Sequence, residues 1–112
     1  MRIECNKQND VAVLSIKGSL DVSVQTKLKE KLYGIADSEQ PDMVVDFTEV
    51  TFIDSSCLGV LVALTKKLRE KKGDIKLANL SEDVRSIFQI TRLDRVFEIY
   101  ADNQQAIDSY FK

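Results

Sequence analysis

Met43-Val44-Val45-Asp46-Phe47 leads through Thr48-Glu49-Val50-Thr51-Phe52-Ile53 into Asp54-Ser55-Ser56-Cys57-Leu58-Gly59-Val60-Leu61-Val62. Met43 to Phe47 is a short, nearly continuous apolar run, the pattern of a strand buried on both faces. Thr48 to Ile53 bridges it to Asp54, where a helix is predicted to begin. Aspartate is a good N-cap because its carboxylate accepts hydrogen bonds from the free amides of the first turn. Ser55 falls in that first turn. The helix runs to about Lys72 and ends at Gly73, a natural C-cap residue.

On the N-terminal side, Ile3 to Asn6 alternates apolar and polar residues, and Gln8-Asn9-Asp10 has turn chemistry. Val11 to Ile16 then forms a second, more buried strand of a hairpin, closed by Gly18. Val24, Leu28, Leu32 and Ile35 share one face of a helix over Ser23–Ala36, capped by Asp21 or Ser23. Asp37 to Asp42 is a polar connection in which Pro41 forbids helix continuation. On the C-terminal side, Ile75 to Asn79 reads as a strand. Ser81-Glu82-Asp83 starts a short helix with Val84, Ile87 and Phe88 on one side. Val96 to Tyr100 is the last strand, and Asp102 opens a terminal helix striped by Ala106, Ile107, Tyr110 and Phe111. The order β-β-α-β-α-β-α-β-α implies an α/β fold, a single mixed β-sheet with helices packed on it. At 112 residues, positions 1–112 are expected to form one domain, within the usual span of about 100–150 residues.

The sequence contains no histidine. That removes the Ser-His-Asp triad, the Cys-His pair and imidazole metal sites. A net charge of −2 offers no basic field for nucleic acid or an anionic membrane. The start turns polar at once, without a signal-like apolar core, and the stretch from Leu58 to Leu64 is too short for a membrane span. The chain is therefore expected to be cytoplasmic, not inserted in a membrane, with Cys5 and Cys57 as reduced thiols. Gly-rich phosphate loops are absent, so a nucleotide-binding protein has little support. Asp21, Asp46 and Asp54 would hold Mg²⁺ only if the fold gathered them at one sheet edge, which the spacing does not favour. Cys57 is read as a small core residue rather than a nucleophile, because no histidine serves as its base. The cations from Lys66 to Lys72 are read as a solvated helix end that complements the macrodipole.

Small residues at Asp54-Ser55-Ser56 leave the first-turn amides open to an anion, although capping alone also accounts for them. The Gly18-Ser19-Leu20-Asp21 turn, the Val44-Val45-Asp46-Phe47 strand and the Phe52 to Val60 run carry a family likeness. Together with the element order, they resemble the STAS domain, found in bacterial anti-sigma factor antagonists and in the cytoplasmic tails of sulfate transporters. The likeness extends through Leu77-Ala78-Asn79-Leu80 and Thr91 to Phe97. What it implies is a non-enzymatic transcription regulator without cofactors. It would bind an anti-sigma factor that is also a serine kinase and be released when Ser55 is phosphorylated. A metal-dependent serine phosphatase would reset it.

Leu20, Asp21, Asp54, Ser55, Ser56 and Cys57 are expected on the partner-binding face, with Ser56 as the rival phosphoacceptor. The family's usual glycine is Cys57 here, and a side chain at that position is expected to narrow the approach to Ser55. The alternative within the family is a scaffold of a stress-signalling assembly or an accessory subunit of a lipid-transport ATPase. The hairpin edge leaves room for weak pairing with a second copy.

Overall fold

The computed structural model describes residues 1–37 and 42–112. Its elements are β1 (Arg2–Gln8), β2 (Val11–Leu20), α1 (Gln25–Ala36), β3 (Asp42–Ile53), α2 (Ser55–Glu70), β4 (Asp74–Ala78), α3 (Glu82–Ile90), β5 (Glu98–Tyr100) and α4 (Asn103–Ser109). Short 3-10 turns at Val22–Val24 and Leu93–Arg95 complete the order. The strands lie side by side in sequence order. β1 runs antiparallel to β2, and all other neighbours are parallel. The predicted mixed sheet and element order are therefore found. The expectation for Pro41 lies outside the described residues.

Alternation along the strands sorts side chains onto two faces. Leu14, Ile16, Met43, Val45, Phe47 and Leu77 point into the main core with the apolar stripes of α1, α2 and α3. Phe88 on α3 stands edge-on to Phe47 and Phe97, with centroids 6.1 and 5.8 Å away. On the opposite face Val11, Val13, Val44 and Ala78 pack against Ala106 and Ile107 of α4. This double burial explains why Met43 to Val45 reads as unbroken apolar sequence.

Four boundaries differ from the sequence reading. β2 passes Gly18 and ends at Leu20, and β3 absorbs the supposed bridge up to Ile53. The two extensions pair in parallel, Leu20 opposite Ile53, across irregularities at Ser15/Lys17 and Gly18/Ser19. Gly18 sits at φ +113°, so it makes a bulge rather than a strand end. α2 ends in a Schellman motif: the Gly73 amide donates to Leu68 C=O at 2.8 Å and the Lys72 amide to Arg69 C=O at 3.0 Å. The left-handed residue is thus Lys72, at φ 65°, and Gly73 follows it. β5 begins only at Glu98, after the 3-10 turn. Phe111 lies beyond α4 and is 62% exposed.

Three of the cations at the end of α2, Lys67, Arg69 and Lys71, bind their own chain. Lys67 and Lys71 pair with Asp37 at 2.9 and 3.6 Å, Lys71 donates to Ala36 C=O, and Arg69 pairs with Asp74. Among the described residues, no helix is long and apolar enough to cross a membrane.

Candidate functional site

The parallel pair β2–β3 delivers Leu20 and Ile53 side by side at one end of the sheet. The chain leaves β3 through Asp54, whose amide donates to Leu20 C=O at 2.9 Å. Asp54 is the N-cap of α2. Its carboxylate accepts from the Cys57 amide at 3.2 Å and the Ser56 hydroxyl at 2.6 Å. The Ser56 hydrogen bond is the main reason the Asp54 carboxyl lies below its ordinary pKa. Partial burial opposes it, and the amides of Cys57, Ser56 and Val22 add to the lowering. Asp54 is therefore an anion with several donors of its own.

The two serines are thereby separated. Ser56 is half-buried and its hydroxyl is committed to Asp54. Ser55 is exposed, and its hydroxyl has no hydrogen bond to any described residue. It stands at the first helical position of a 16-residue helix. There the free amides and the macrodipole favour added negative charge.

Asp21 caps the 3-10 turn on the adjoining segment, accepting from the Ser23 amide at 2.9 Å and from its hydroxyl. The role of cap thus belongs to Asp21 rather than Ser23. It serves the turn, while α1 itself starts at Gln25 without a side-chain cap. Asp21, Asp54, Ser55 and Ser56 all reach one end of the sheet. Leu20 and Cys57 reach it too, but both side chains are fully buried. This corrects the expectation that they face a partner. Cys57 also leaves the approach to Ser55 open, because its thiol points inward and donates to Asp21 C=O at 3.4 Å. Burial raises the Cys57 thiol above its ordinary pKa. The Ser56 hydroxyl opposes that rise, and the Asp54 and Asp21 charges add to it. The group is a neutral donor, not a thiolate nucleophile.

Asp46 lies elsewhere, bound to Ser15, Thr48, Asn79 and Asn103, and so does not join Asp21 and Asp54. Among the described residues, no three Cys, Asp or Glu side chains form a metal-binding group.

Two exposed apolar residues at this end were missed in the sequence: Val22, 69% exposed, and Phe52, 46% exposed. Phe52 precedes Asp54 by two positions, and Val22 follows Asp21, the cap of the adjoining turn. Their signal is an apolar side chain placed next to a capping aspartate. Beside Ser55, a shallow groove of about 530 Å³ runs along α2 over Leu58, Gly59 and Val62 to Thr91 and Leu93. A Cβ at Gly59 would meet nothing within 4 Å, so the packing of this chain does not require glycine there.

Residues 2–106 match the STAS domain family. The chain belongs to the STAS domain family. Its sequence is 34% identical over 100 residues to the anti-sigma-B factor antagonist of Bacillus subtilis, covering 89% of this chain and 90% of that protein. Its fold is similar to an anti-sigma factor antagonist from Mycobacterium paratuberculosis, with a TM-score of 0.90 at 22% identity over 99% of this STAS chain and 94% of that one. It is also similar to the Bacillus cell fate determinant SpoIIAA in its phosphorylated form, with a TM-score of 0.73 at 22% identity over 97% and 99% of the two chains.

Proposed function

We propose that this STAS protein is an anti-sigma factor antagonist. It binds an anti-sigma factor serine kinase through the face around Ser55 and is released when that kinase phosphorylates Ser55. A serine phosphatase restores the binding form. The observation that carries this reading is the contrast between the two serines: Ser56 is tied to Asp54, while the Ser55 hydroxyl is exposed and unbonded. Further support comes from the name of the Bacillus subtilis relative and from the existence of a phosphorylated form of SpoIIAA.

A phosphoryl group adds about −1.5 to −2 charge at neutral pH. The amides and dipole of α2 favour it, whereas Asp54 and Asp21 repel it. These terms oppose one another, so the fold tolerates the group while the surface offered to a partner changes in charge and bulk. Val22, Phe52 and the groove along α2 supply apolar contacts around the serine.

The test is phosphopeptide mapping after incubation with the partner kinase and ATP, combined with calorimetric binding. Phosphate on Ser55, abolished in Ser55→Ala, together with complex formation by the unmodified chain alone, is the expected result. Phosphate on Ser56, or equal affinity of both forms, refutes the switch.

A further inference from the structure

Two hydrogen bonds join the start of α2 to the end of β2 and the turn that follows it. The Asp54 amide donates to Leu20 C=O and the Cys57 thiol to Asp21 C=O. The second differs from the first because it depends on a side chain. The Asp21 carbonyl also accepts the Val24 amide at 3.0 Å, closing the 3-10 turn, so the thiol is a second donor to the same oxygen. Cys57 is fully buried. A glycine at this position removes both the donor and the volume behind the turn.

We propose that Cys57 is a positioning residue that locks the Asp21–Val24 turn against the Ser55 end of α2, holding exposed Val22 beside the serine. This deepens the functional reading above and rests on it for its consequence. The tie sets how tightly the kinase docks on the Ser55 face, and the chemistry at the hydroxyl is unaffected. A buried sulfur acting only as a small apolar filler makes a different prediction, because alanine and serine would then be equally poor replacements.

The test uses the full chain as Cys57→Ala, Cys57→Gly and Cys57→Ser. Amide hydrogen exchange at Val24 is expected to be about tenfold faster in the Ala and Gly variants and within about threefold of wild type in the Ser variant. Exchange at Val45 and Leu61 reports the core and stays unchanged, so a variant that fails to fold is recognised and the other two decide. Unchanged exchange at Val24 in Ala or Gly overturns the proposal. So does a Ser variant as fast as Ala.

The second readout is steady-state phosphorylation by a serine kinase that modifies the wild-type chain at Ser55. KM is expected to rise about fivefold in Cys57→Ala with kcat nearly constant, and to recover in Cys57→Ser. A loosened turn with unchanged KM reduces the tie to a structural role and overturns positioning. Wild-type chain that is never phosphorylated at Ser55 defeats the functional reading instead, and the exchange data alone then decide whether the tie exists.

Discussion

Asp46 and Asp54 sit a few residues apart in the chain, one inside β3 and one just past its end. Hydrogen bonds hold both below the ordinary carboxylate pKa. For Asp46, burial pushes the pKa up, but the Thr48 hydroxyl and amide and the side chains of Asn103 and Asn79 outweigh it. For Asp54, the Ser56 hydroxyl leads. Their partners differ in origin. Asp46 collects donors 31, 33 and 57 residues away, from Ser15, Asn79 and Asn103, and so fastens α4 and the end of β4 to the sheet. Asp54 takes Ser56 and Cys57, two and three residues away, and its own amide ties it to Leu20 C=O at the end of β2. The first carboxylate is a weld between remote segments. The second organises a surface and leaves the Ser55 hydroxyl free.

The contrast predicts a global effect on one side and a local effect on the other. Asp46→Ala strips the acceptor from two partly buried amide side chains and the Thr48 amide, and is expected to cost about 2–3 kcal/mol of stability in urea denaturation. A loss under about 0.5 kcal/mol would mean that water replaces the carboxylate, and the weld would be an illusion. At the other end, Ser55→Asp is expected to weaken the partner complex about tenfold or more by calorimetry, about 1.4 kcal/mol. Its own stability should stay within about 1 kcal/mol, the scale of a helix-end charge effect. Large unfolding in this variant would place Ser55 in the scaffold rather than the switch.

Asp54→Ala removes an N-cap and should cost about 1 kcal/mol. Faster amide exchange is expected only in residues 20–24 and 54–58; spread into β4 or α4 would erase the distinction between the two carboxylates. Smaller still is Gly59→Ala, expected to stabilise α2 by about 0.5–1 kcal/mol because nothing blocks the methyl. Partner affinity should fall as that methyl enters the groove. Gain on both measurements would exclude the groove from the interface.

Acid tests the Asp46 network as well. The folded-state pKa of Asp46 is depressed, so above the unfolded value near 3.9 the carboxylate stabilises the fold. The unfolded chain binds the proton first, and the contribution is lost as pH falls from that value through the lower folded one. Asp46→Asn should flatten the decline of stability below about pH 4, read from urea denaturation across that range.

The two ends were also unequally legible. Asp54 was readable as an N-cap from its neighbours alone, as were Ser81 and Asp102, whose side chains accept from Val84 and Gln105. A cap is a contract within four residues. Asp46 was read as part of an apolar strand, and most of its network went unseen because, Thr48 apart, the donors come from three distant segments. A hint did exist, since a carboxylate inside a buried run demands donors from somewhere. Gly18 misled for a related reason. Its local signal is to stop a strand, yet pairing with Val50 in β3 carries β2 past it through a bulge.

Local sequence therefore determined the element order, the helix starts, the family likeness and the candidate serine pair, because those depend on periodicity and on hydrogen bonds a few residues long. Tertiary structure decided that Cys57 and Leu20 turn inward, that Val22 and Phe52 stay exposed, and which remote donors hold Asp46. These depend on the parallel pairing of β2 with β3 and of β3 with β4 and on the docking of α4, which set segments tens of residues apart within contact. Burial and donor supply at a side chain are properties of that neighbourhood, and no short window of sequence contains it.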